Sequence, residues 1–77
     1  MKIDFTSLVR THLGFPSEWE GKCVLGKSVK ISYRYGRTQI FYEGVLVNTL
    51  TIDQFDIGGY MDDNVLKGLL KTNNYVE

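Results

Sequence analysis

The sequence predicts an α+β fold: an N-terminal helix, a four-stranded antiparallel β-meander and a C-terminal helix, in a single domain over residues 1–77. Three observations lead there. Apolar residues recur at helical spacing near each end of the chain, the middle alternates with period two, and glycines at 26, 36 and 44 punctuate that middle at hairpin intervals.

The first element rests on Phe5, Leu8, Val9, His12 and Leu13, whose steps of three and one trace a stripe on a helix. Asp4 or Thr6 is placed to cap it, Gly14 suits the left-handed residue after its end, and Pro16 prevents continuation. A helix over about residues 5–13 is therefore expected.

Period two then runs from Trp19 to Ile52. Residues 28–35 (SVKISYRY) set Val29, Ile31, Tyr33 and Tyr35 against Lys30, Ser32 and Arg34, the pattern of a strand with one wet face. A two-residue Gly36-Arg37 loop of type II′ pairs Tyr35 with Thr38, Tyr33 with Ile40 and Ile31 with Tyr42. Glu43-Gly44 makes the next tight turn, placing Val45 opposite Tyr42 and Val47 opposite Ile40. For the earlier hairpin, a loop of Gly26 to Ser28 keeps Lys22 and Glu20 off the core face. It gathers Trp19, Gly21, Cys23 and Leu25 there instead.

The opposite face divides into Glu20, Lys22, Lys30, Ser32, Arg34 and Gln39 on one side and Phe41, Leu46, Leu50 and Ile52 on the other. The apolar half calls for a cover. A C-terminal helix capped by Asp62 or Asp63, with Val65, Leu66, Leu69 and Leu70 as its stripe, is the expected one. Residues 53–61 (DQFDIGGYM) form a loop with a Gly58-Gly59 hinge, anchored by Phe55, Ile57 and Tyr60. A small, partly open β-barrel with terminal helices is the alternative, since strong curling would also bury both apolar faces.

Composition bounds the function. A chain of 77 residues buries about 60% of its unfolded surface and has no room for the layers of a large enzyme fold. At 43% hydrophobic and 13% aromatic it is too rich in core formers for a disordered tail. One cysteine, Cys23, excludes an internal disulfide and suits a reducing, cytoplasmic setting. Asp4, Arg10 and His12 interrupt any signal-like run, and no stretch nears the roughly 20 apolar residues of a membrane span, so no membrane partner is expected.

Residues 21–28 read GKCVLGKS and match the phosphate-loop pattern, with Lys27 and Ser28 in the phosphate and Mg²⁺ positions. The pattern needs a helix after it, whereas the residues past Ser28 alternate as a strand, so Gly26 reads as a hairpin glycine. His12 and Cys23 read as a helix-edge residue and a small core residue rather than a base and a nucleophile. No metal or cofactor is expected: a zinc site wants four Cys- or His-type ligands, and Asp53, Asp56, Asp62 and Asp63 lack the spacing of a Ca²⁺ loop.

The cluster that does suggest a function is Lys22, Lys30, Arg34 and Arg37 with Phe41 beside them on one hairpin face. The expected function is non-catalytic: a small intracellular adaptor or inhibitor docking that face on a larger protein. The alternative is a nucleic-acid binder gripping phosphates with the same face, which a formal charge of zero disfavours. That zero is a cancellation. Residues 1–37 carry seven basic against three acidic side chains, and residues 38–77 two against six, so a homodimer is also compatible.

Overall fold

The computed structural model describes residues 2–12, 17–51 and 61–76. Five antiparallel strands, β1 (Phe5–His12), β2 (Ser17–Cys23), β3 (Ser28–Arg34), β4 (Arg37–Tyr42) and β5 (Val45–Thr51), lie side by side in chain order and are followed by one helix, α1 (Asp63–Thr72). The class is α+β, as expected. The N-terminal helix is not formed: residues 5–12 are the first strand, making five strands rather than four. The sheet is open, with β1 and β5 as its two ends, so the strands do not close into the alternative barrel.

The cause of the misread helix is visible in the register. Phe5 pairs with Cys23 and Ser7 with Lys22, so Thr6 is an extra residue; a second irregularity falls between Arg10 and His12. Each bulge breaks strict alternation. Phe5, Leu8 and Arg10 are consequently spaced three and two along one face, which imitates a helical stripe. Thr6, Val9 and Thr11 are β-branched and favour the strand. Gly21, opposite Leu8, allows the close approach of β1, because a Cβ there would lie 2.1 Å from the Ser7 carbonyl oxygen.

The turns keep the predicted faces but move the pairings. Tyr35 and Gly36, both at positive φ, form the β3–β4 turn, and Tyr33 pairs with Thr38, Ile31 with Ile40 and Val29 with Tyr42. The type is I′, not II′. The pairing differs from the expected one by two residues, so every side chain keeps its side of the sheet. In the β2–β3 hairpin the loop is Val24 to Gly26, closed by Cys23 N–H to Lys27 O (3.1 Å) and Gly26 N–H to Cys23 O (2.8 Å), with Gly26 at φ 76°. Trp19 therefore pairs with Ile31 and Gly21 with Val29, and Leu25 sits on an exposed loop tip instead of the core face.

Glu43 and Gly44 do form the last turn, with Tyr42 opposite Val45. Beyond it Ile40 pairs with Asn48, not Val47, because Val47 is the extra residue of a third bulge. That bulge reverses the alternation of β5 and carries Leu50 into the core.

One face of the sheet thus presents Trp19, Cys23, Val29, Ile31, Tyr33, Thr38, Ile40 and Leu50, and α1 lies against it. Leu66 and Leu70 are buried, Leu69 is half-buried and Val65 faces out. Burying Ile31, Ile40 or Leu66 contributes about 1.5–3 kcal/mol each. The helix was expected to cover the Phe41 and Leu46 face; it covers the opposite one, where the larger apolar set lies.

Both helix ends are satisfied. Asp62 caps the N-terminus by accepting from Asn64 N–H at 3.1 Å. At the C-terminus Tyr75 N–H bonds Leu70 O and Asn74 N–H bonds Lys71 O, with Asn74 in the left-handed region, the Schellman arrangement. Tyr75 is then tied to the segment before β1 and to β5, taking Ile3 N–H on its carbonyl (2.7 Å) and Asn48 Nδ2 on its hydroxyl (2.6 Å). Residues 52–60, with Phe55, Ile57, Tyr60 and the Gly58-Gly59 pair, lie outside the described residues, as does Gly14.

Candidate functional site: the open face of the sheet

With α1 on one face, the other is left to solvent among the described residues. Pairing across all five strands sets its rows. One row reads Val9, Glu20, Lys30, Phe41, Leu46; beside it run Ser7, Lys22, Ser28 on one side and His12, Glu18, Ser32, Gln39, Thr49 on the other. Arg34, Arg37 and Thr51 form the last row, at the Tyr35-Gly36 turn.

A concavity of about 690 Å³ occupies the end of this face nearest the other two turns. Ser7, Glu20, Lys22, Ser28, Lys30 and Phe41 line it, with backbone from Gly21 and Gly44. Lys22 stands opposite Ser28, which makes Lys30 its diagonal neighbour, so two ammonium groups and two hydroxyls converge on one hollow. Phe41 is half-buried beside Lys30, while Val9 and Leu46 are largely exposed at the two ends of the row.

Of the five residues singled out from sequence, Lys22, Lys30 and Phe41 come together here. Arg34 and Arg37 face each other at the far end of the hairpin, six residues along β3 from Ser28, about 20 Å away at strand rise. The single basic cluster expected from sequence is therefore two groups. Acids also stand among the cations: Glu20 pairs directly with Lys30, Glu18 approaches it to 4.0 Å, and Glu43 takes both Lys27 (3.8 Å) and the Ser28 N–H (3.0 Å). The hollow offers cations, one carboxylate, hydroxyls and one aromatic ring, and Val9 and Leu46 stand exposed at the ends of the row that crosses it. That mixture suits a polypeptide surface with acidic and apolar side chains.

Sequence reasoning missed Val9 and Ser7, because β1 was read as a helix. The β-branched residues of that segment were the available signal.

Other candidates do not assemble. Cys23 is buried on the helix-covered face, whereas His12 lies opposite Glu18 on the open face, so they form no nucleophile–base pair. Burial pushes the Cys23 thiol up, but the backbone of Leu25 and Lys27 and the Tyr42 hydroxyl at 3.8 Å outweigh it and hold the thiol below its ordinary value. Residues 21–28 close β2, turn and open β3, so no helix follows Ser28 and the phosphate-loop geometry is absent there. Asp62 caps α1, and Asp63 accepts from Trp19 and Arg10, which gives both acids structural roles; Asp53 and Asp56 lie outside the described residues. Among the described residues no helix is long and apolar enough to cross a membrane.

Compared with protein-family models, with curated proteins and with solved structures, the chain gives no significant match to any of them.

Proposed function

We propose that this chain is a non-catalytic protein-binding module, adaptor- or inhibitor-like, that docks the open face of its sheet on a larger protein. The supporting observation is the hollow on the uncovered face, where Lys22, Lys30 and Phe41 converge with Ser7 and Ser28 and are flanked by exposed Val9 and Leu46. A half-buried aromatic with Leu46 on one side and the charges of Lys30 and Glu20 on the other has the make-up of an interface core and rim. Arg34 and Arg37 extend the same face and act as a peripheral contact. The cytoplasm is the setting we propose, a reading supported by Cys23, the chain's one cysteine, which is buried in the core.

Nucleic acid is the second reading, favoured by Phe41 standing beside Lys30 as a stacking platform would. Glu20 in the same row and Glu18 in the next weigh against it, because they oppose phosphate. Affinity capture separates the two. The protein reading expects one nuclease-resistant partner that Lys30→Glu with Phe41→Ala releases and Val65→Ala retains. Capture that vanishes with nuclease, or retardation of oligonucleotides falling steeply with salt, would replace it with the second reading.

A further inference from the structure

The edges of the sheet differ in a way that the open face does not explain. β1 is bulged twice and carries Arg10, devices that discourage pairing with another chain. β5 has few of them. From Val45 to Thr51 it reads VLVNTLT, with no charged residue and no proline. Val45, Leu46 and Val47 are 64%, 48% and 41% exposed, and no described residue pairs with the strand's outer side.

The direction of its backbone groups follows from the turn. Tyr42 and Val45 flank the two-residue Glu43-Gly44 turn and so exchange hydrogen bonds; Ile40 and Asn48 are the next such pair. Thr49, one residue on, therefore turns its N–H away from β4. Its amide is taken by the side-chain oxygen of Asn48 at 2.8 Å, a bond that an incoming strand's carbonyl would replace.

We propose that β5 pairs edge to edge and antiparallel with β5 of a second copy of this chain, joining two sheets into one of ten strands. The occupant follows from the composition. A two-fold axis sets the strand against itself, so like charges would face like, and this strand has none. A charged partner strand would find no complement along it. Val, Leu and Thr are what an antiparallel neighbour accepts on either side. Pairing would also bring Leu46 of each copy, and the Phe41 rows behind them, onto one continuous open face.

Sedimentation equilibrium over a wide concentration range tests this. Wild type is expected to dimerise, and Thr49→Pro, which deletes an outward N–H while sparing the bonds to β4, is expected to weaken association by about tenfold or more with unchanged circular dichroism. Thr49→Lys serves if the proline variant unfolds: it sets like charges across the axis and should weaken association in a way that added salt partly reverses. Phe41→Ala should leave the dimer intact, which separates this proposal from the open-face reading. A wild type that stays monomeric at millimolar concentration, or a dimer indifferent to both Thr49 variants, overturns the proposal.

Discussion

The indole N–H of Trp19 donates to Asp63 Oδ1 at 2.9 Å, joining the middle of β2 to the first turn of α1. The same oxygen takes the Arg10 guanidinium at 2.8 Å, and the guanidinium carbon of Arg10 stands over the Trp19 ring, 4.5 Å from its centroid. Arg10 Nη2 also donates to the Met61 carbonyl, while Met61 N–H donates to Ser17 Oγ at 2.9 Å. One carboxylate thereby docks the helix on two strands.

This clasp makes stability depend on pH. The Trp19 hydrogen bond first, then that of Arg10, holds the Asp63 carboxyl below its ordinary 3.8. A depressed folded-state value means that the stabilisation is complete above 3.8 and is lost as pH falls below it through the folded value. Asp63→Asn should lower the melting temperature at neutral pH and converge with wild type in acid. Parallel pH profiles for the two proteins would show that the carboxylate contributes nothing through its charge.

Two glycines should respond oppositely to alanine. At Gly21 a Cβ meets the Ser7 backbone, so Gly21→Ala should destabilise by about 3 kcal/mol or more by pushing β1 off the sheet. At Gly68, within α1, a Cβ meets nothing within 4 Å, and Gly68→Ala should stabilise by about 0.5–1 kcal/mol. Urea unfolding measures both.

Thr38 is fully buried between Tyr33 and Leu50, and its hydroxyl has no hydrogen-bond partner among the described residues. Thr38→Val keeps the shape and removes a buried polar group, so it should stabilise by about 1 kcal/mol. A loss of that size in urea unfolding would instead reveal a bond to the hydroxyl.

Cys23 offers a chemical probe of the hairpin end. Tyr42→Phe removes one of the hydrogen bonds that lower the thiol and should raise its titration, read by ultraviolet thiolate absorbance. The tyrosine's own ionisation, pushed up chiefly by its bond to Cys23, should fall toward its ordinary value in Cys23→Ala.

Much of this architecture was legible in the residues. Alternation from Val29 to Tyr33 assigned β3 to the correct face, and the turn glycines located each hairpin. Misplacing the turn at Gly36-Arg37 shifted the pairing by an even number and so did no harm to the faces. Bulges are what alternation cannot show. The extra residue at Thr6 turned a strand into an apparent helix, and the one at Val47 moved Leu50 from the outer face to the core, which in turn misdirected α1. For the candidate site, Lys22, Lys30 and Phe41 were visible as one face of three neighbouring strands. Separating Arg34 and Arg37 from them required the true register, and Val9 required knowing that β1 exists.

If the open face docks on a protein, contacts should form there and not on the helix side. A photo-crosslinking phenylalanine placed at position 41, with position 65 on the outer side of α1 as the comparison, tests it in a cell lysate. Docking through the open face predicts one discrete, nuclease-resistant adduct from position 41 that Lys30→Glu abolishes, and no such adduct from position 65. No adduct from position 41, or the same products from both positions, would contradict it.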